Sequence, residues 1–214
     1  SAQRSQTLSE MDAEINDLQT AWKQACTQAD ISRLGRSLEG LCLYYEMRLR
    51  FREGEGACQA ALSHLPIRSD QPGKEHVLRA RLLLWQASFL GSSGRLEAAI
   101  SLHREAGEML DRLEQQGLDV RRPRAMYWQA EGYAKVELKV KLECYQRGIA
   151  LYQQLGDTWR QANMLVWAGE LSNRLGDPDL ALQSQQEALR LARQLGEPNI
   201  TLHSLRQLTY INFI

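Results

Sequence analysis

Residues 163–195, NMLVWAGELSNRLGDPDLALQSQQEALRLARQL, read as two helices joined by a tight turn. The first helix carries Leu165, Ala168, Gly169 and Ser172, and the second carries Ala181, Ala188, Leu189 and Leu191. Each set recurs at helical spacing along one face. Between them, Leu175-Gly176-Asp177-Pro178 stops one helix and starts the next. Gly176 can take the left-handed conformation that ends a helix, Asp177 caps its successor, and Pro178 fits the successor's first turn. The small residues Gly169, Ala181 and Ala188 let the two helices approach closely.

Working outward, the same grammar recurs. Gln153-Gln154-Leu155-Gly156-Asp157 is matched 40 residues later by Arg193-Gln194-Leu195-Gly196-Glu197, and Leu142, Ile149 and Leu151 fall opposite Leu182, Leu189 and Leu191. Earlier, Gly94-Arg95-Leu96-Glu97-Ala98-Ala99 with Ala106 marks another copy, whose first helix includes Leu83, Leu84, Trp85, Ala87 and Leu90. A divergent copy lies between, with a first helix over Met126 to Ala134 and Lys141 where an alanine is expected. Its turn near Lys135-Val136-Glu137 has neither Gly nor Pro, so a continuous or bent helix stays open there. The first copy runs from Leu38 to Leu62, anchored on Gly54 with Ala61 following. The anchors Gly54, Ala99, Lys141 and Ala181 are 45, 42 and 40 residues apart, so each second helix is extended relative to a minimal repeat of about 34 residues. The longest interval holds Pro66-Ile67-Arg68-Ser69-Asp70-Gln71-Pro72-Gly73, a loop by composition.

At the start, Thr7-Leu8-Ser9-Glu10 is a capping-box signature, and Met11, Ile15, Leu18, Trp22 and Ala25 make one amphipathic helix. At the end, Ile200 to Ile214 reads as the first helix of a further unit without its partner. An apolar finish and a start without Met give the chain the look of an excised fragment. The expected organisation is a cap region over 1–34, four repeats at about 35–75, 76–120, 121–158 and 159–197, and a half-unit over 198–214.

The 214 residues carry 26 basic and 26 acidic side chains, which leaves no net field to draw nucleic acid or an anionic membrane. No apolar run reaches the ~20 residues of a membrane span, and no secretory signal is present. These features point to a cytoplasmic protein. Cys26, Cys42, Cys58 and Cys144 are too far apart in sequence for a zinc or redox motif and read as reduced core residues. His64, His76, His103 and His203 lack partners at metal-ligand spacing, and no nucleophile, base and orienting group fall together. No catalytic residue, metal or cofactor is expected.

Gly169, Gly176, Ala181 and Ala188 stand at the small-residue positions of a tetratricopeptide repeat, which the chain resembles over residues 9–197, with Leu165 and Ser172 replacing its usual Trp and Tyr. The resemblance implies an all-α fold, a right-handed superhelical solenoid of helix-turn-helix repeats of about 40–45 residues each. Glu14 to Trp22, Leu41 to Glu46 and Arg52 to Glu55 further resemble the segment that follows the nucleotide-binding and winged-helix modules of bacterial signal-transduction ATPases and LuxR-type regulators. That likeness implies the sensor or interaction arm of a larger regulatory ATPase or transcriptional regulator. A free-standing adaptor or peptide receptor is the rival. No Gly-x-x-x-x-Gly-Lys-Ser/Thr loop is present, so this segment is not the nucleotide-binding module.

In such scaffolds the first helices line a concave groove that holds a protein or peptide segment. Counting from each anchor places Arg36, Glu39, Leu43, Glu46 and Met47 there, then Arg81, Leu84 and Ser88, then Met126, Ala130 and Tyr133, and finally Asn163, Val166, Glu170, Asn173 and Arg174. The Trp residues read as packing, with Trp159 expected at an edge. The apolar face of Leu202–Ile214 is expected to support a homodimer.

Overall fold

A computed structural model of the chain describes residues 2–65 and 73–212. Among these the regular elements are helices: α1 (Ala2–Thr27), α2 (Ile31–Met47), α3 (Phe51–His64), α4 (Lys74–Ser92), α5 (Leu96–Gln115), α6 (Arg121–Ala134), α7 (Leu138–Gln154), α8 (Thr158–Arg174), α9 (Pro178–Leu195) and α10 (Pro198–Asn212). Helices α2 to α9 follow one another as four pairs. They divide into two compact units, one from Ala2 to Pro123 and one from Arg124 onward. Residues 66–72 of the expected loop, and Phe213 and Ile214 of the expected dimer face, lie outside the described residues.

The turn between α8 and α9 works as its sequence demands. Gly176 sits at φ +80°, and the N–H groups of Gly176 and Asp177 donate to the carbonyls of Asn173 and Ser172 at 3.1 and 2.9 Å. The Asp177 carboxylate then accepts the Leu180 N–H at 3.0 Å, while Asp30 and Asp157 cap α2 and α8 in the same way. The open question at the third pair is resolved as a break. Helix α6 ends at Ala134 and α7 starts at Leu138, with Glu137 in an extended conformation and Val136 94% exposed. The capping-box reading is corrected: α1 begins at Ala2, so Thr7-Leu8-Ser9-Glu10 lies inside it. Ala2, Gln3, Arg4 and Gln6 are strong helix formers, and nothing among them stops the helix before Thr7.

In the first unit, α1 packs on α2 and α3 through buried Ile15, Trp22, Ala25 and Cys26. Polar contacts fix its register. The Trp22 indole N–H donates to the Ala57 carbonyl at 2.9 Å, and Gln19 donates to the Tyr45 hydroxyl at 3.2 Å and to Glu53 at 3.3 Å. The Asp12 carboxylate accepts from the Tyr44 hydroxyl at 2.8 Å and is ion-paired with Arg48. The Tyr44 hydrogen bond, with Arg48 behind it, holds the Asp12 carboxyl below its usual range. A depressed folded-state pKa contributes stability that is present above the unfolded carboxylate pKa and lost as pH falls through the folded value. Amide exchange along α1 is therefore expected to speed up relative to α2 as pH drops below about 4. Asp12→Asn should remove that acid-dependent step.

In the second unit, Ala162, Leu165 and Val166 of α8 pack with Ala188, Leu191 and Ala192 of α9 and with Ile200 of α10. A second cluster joins Ala125, Tyr145, Tyr152, Met164, Ala168 and Leu171. The close approach of α8 and α9 is specific: a Cβ on Gly169 would stand 2.7 Å from the Gln185 amide, whose N–H donates to the Val166 carbonyl at 2.9 Å.

Candidate binding surface

In the first unit, the residues expected on the first-helix face meet at a polar contact between α2 and α4. The Glu39 carboxylate lies 3.6 Å from the Arg81 guanidinium and 3.4 Å from the Trp85 indole nitrogen, which donates to it. Arg81 also donates to the Gly35 carbonyl at 3.1 Å. Burial lowers the Arg81 pKa, and the Glu39 charge works against that. Arg36 is exposed, and Leu43, Glu46, Met47 and Ser88 are half-buried. Leu84 is a correction, since it is buried in the core.

In the second unit, Tyr133 and Arg174 are exposed, and Met126, Ala130, Asn163, Glu170 and Asn173 are half-buried. Val166 is the second correction, because it belongs to the core shared by α8 and α9. The two errors have different causes. Leu84 lies in a stretch of α4 that is buried throughout, from Leu82 to Trp85, so no choice of phase exposes it. At Val166 the cause is phase in the count from the anchor, since a slip of one residue turns a helix by about 100°. The neighbour Trp167, passed over by that count, is the exposed one.

Trp167 is the middle of a row of rings contributed by three successive first helices. The Tyr133 ring on α6 lies 6.4 Å from Trp167 on α8 at 75°, and His203 on α10 lies 5.9 Å from Trp167 at 47°. Behind them the buried Tyr145 ring stands 5.7 Å from Tyr133. Tyr133 is 51% exposed and Trp167 37%. Glu170 is one turn along α8 from Trp167, on the same side, and accepts from the Gln207 amide of α10 at 3.5 Å. Burial first, then the neighbouring Tyr133, Cys144 and Glu170, push the Tyr145 hydroxyl well above its usual pKa, so it stays protonated. Trp159 is half-buried and packs against the border of the α8 and α9 core. The available signal was the spacing of Trp167, Glu170 and Arg174 on one face of α8. His203 gave no signal of its own.

The arrangement suits binding. The four cysteines are buried thiols, and burial pushes Cys26 up to about 11, far from the thiolate that chemistry needs. Cys42 and Cys58 touch, with sulfurs 3.9 Å apart. Among the described residues no group of three or more His, Cys, Asp or Glu is placed to hold a metal. Ser63 Oγ lies 3.2 Å from His64 Nδ1, but that nitrogen also lies 2.8 Å from the Ala60 carbonyl. It can only donate there, so it is no base for the serine. No described helix is long and apolar enough to cross a membrane.

No protein-family model matches the sequence, and no curated protein matches it. Solved structures do. A Signal Transduction ATPase with Numerous Domains (STAND) protein with a tetratricopeptide repeat sensor, from Pyrococcus horikoshii, superposes with a TM-score of 0.63 at 15% identity, over 98% of this chain. The fold is the tetratricopeptide repeat. BtubC (BKLC) from P. vanneervenii shares it, with a TM-score of 0.56 at 14% identity over 97% of this chain and 90% of its own. This chain spans 31% of the length of the Pyrococcus protein. At such identities the likeness is one of fold.

Proposed function

We propose that this tetratricopeptide chain is a non-catalytic scaffold that binds a protein or peptide segment on the face of its first helices. The observation that carries this reading is the ring row of exposed Tyr133 and Trp167 with half-buried His203 at its end, because exposed aromatic clusters with polar neighbours are the signature of protein contact surfaces. The surface takes in Met126, Ala130, Tyr133, Asn163, Glu170, Asn173 and Arg174 in the second unit. Arg36, Glu39, Leu43, Glu46, Met47, Arg81 and Ser88 form its counterpart in the first. Exposed Leu202, Leu205 and Tyr210 on α10 support self-association as part of the same reading. The balanced charge offers nothing to nucleic acid as a direct partner.

The scaffold serves as the sensor or interaction arm of a larger cytoplasmic regulatory ATPase or transcriptional regulator. Likeness to a STAND protein with a sensor of this repeat, of which this chain matches 31%, supports that role. Ligand held on the arm would then bias how the arm sits against its neighbouring module. The second reading, a free-standing adaptor, is favoured by the match to BtubC over 90% of that protein's length. ATP turnover by the longest natural chain that carries this segment, measured with and without it, decides between them. A change in turnover on deletion is expected for the arm, and an absence of nucleotide activity leaves the adaptor.

A further inference from the structure

Tyr133 and Trp167 meet at 75°, so their rings form two walls of a corner open to solvent. Glu170 stands on the same side of α8 as Trp167, held against α10 by Gln207, and its charge reaches Tyr145 behind the corner. Among the described residues Glu170 makes no ion pair, and no cation lies over the Trp167 ring. Arg174, a turn further along α8, is not paired with Glu170, and the Arg206 guanidinium of α10 is 3.0 Å from His203. Arginines already stack on other rings of this unit. Arg147 lies 4.6 Å over Trp128, Arg124 5.6 Å over Tyr127 and Arg160 5.9 Å over Tyr152. A half-buried carboxylate without a countercharge beside the exposed Trp167 ring is complementary to a planar cation.

We infer that the corner of Tyr133, Trp167 and Glu170 holds an arginine side chain of the bound segment. This rests on the scaffold reading and names the chemistry of its ligand. A guanidinium fits better than an ammonium because it is flat, weakly hydrated and able to stack on a ring while its N–H fork reaches a carboxylate. The Trp167 face supplies the stacking surface, Tyr133 the second wall, and Glu170 the charge.

The test uses the full chain with its five indole groups labelled with nitrogen-15. The Trp167 signal is assigned from Trp167→Phe. Acetyl-Gly-Arg-Gly-amide is titrated against the same peptide with citrulline, which keeps the shape and loses the charge. The Trp167 signal is expected to shift saturably with the arginine peptide, and citrulline should bind about tenfold more weakly. Glu170→Gln should weaken arginine binding about fivefold and flatten its salt dependence. Equal responses to the two peptides, or no response at Trp167, overturn the inference. Panning a displayed peptide library on wild-type protein and Trp167→Ala separates the two levels. Peptides that need Trp167 but show no arginine preference sink the arginine assignment and leave the scaffold; a library that yields no binder, with no shift at Trp167, sinks both.

Discussion

Gly54→Ala is expected to destabilise the first unit by about 1–3 kcal/mol, while Gly56→Ala, in the same helix, stabilises it by up to about 1 kcal/mol. Both replace a glycine inside α3, where alanine is intrinsically the better helix former. Intrinsic propensity therefore predicts a gain at both positions. Packing decides otherwise at one. A Cβ on Gly54 would stand 2.5 Å from Cζ of Phe89, with two more ring carbons inside 3 Å. The Phe89 ring is 1% exposed and stacked against Trp85 at 5.8 Å, so it has no free volume to retreat into. A Cβ on Gly56 meets nothing within 4 Å. Urea denaturation of the two variants reads the sign directly. If both are stabilising, Phe89 moves more easily than its burial implies. Phe89→Leu should recover part of the Gly54→Ala loss, because the two sites share one volume and their effects will not add.

The same pair shows how much of the fold was legible. Periodicity alone placed Gly54 at the position held by Ala99 and Ala181 in other repeats, and the structure explains the exception by a ring from the next helix that occupies the methyl's space. Turns written in Gly, Asp and Pro were readable because those residues have few backbone alternatives. The turn after Ala134 was not, since an extended Glu137 breaks the chain without any of them. Phase was the weak point of the surface. Val166 is an apolar residue on the correct helix, one step from the open face, and an amphipathic pattern does not tell an exposed Trp167 from a buried Val166; Leu84 sits where α4 is covered on every side, from Leu82 to Trp85. The ring row was out of reach for a different reason. It joins residues 133, 167 and 203, which only the packing of three helices brings together.

Trp22→Ala is expected to cost about 3–5 kcal/mol, with much of the effect confined to α1. Trp22 is 5% exposed, and it anchors α1 by ring burial and by its bond to the Ala57 carbonyl. Trp22→Phe keeps most of the buried area and should cost only about 1 kcal/mol for the lost hydrogen bond. Helix α1 packs only on α2 and α3 among the described helices with substantial contact, so it can leave without dismantling α4 and α5. A local release has a chemical consequence that global unfolding does not isolate. Cys26 is buried on α1, and burial holds its thiol up to about 11. Once α1 frays, that thiol returns to an ordinary value of about 8.5 and becomes reactive. Modification of Cys26 in Trp22→Ala should then run faster than modification of Cys144, a buried thiol of the other unit, at denaturant concentrations where α4 still protects its amides. Equal rates at the two cysteines would mean that α1 is not a separate element but part of one cooperative unit, and the energy lost at Trp22 would then appear undiminished in the global unfolding free energy.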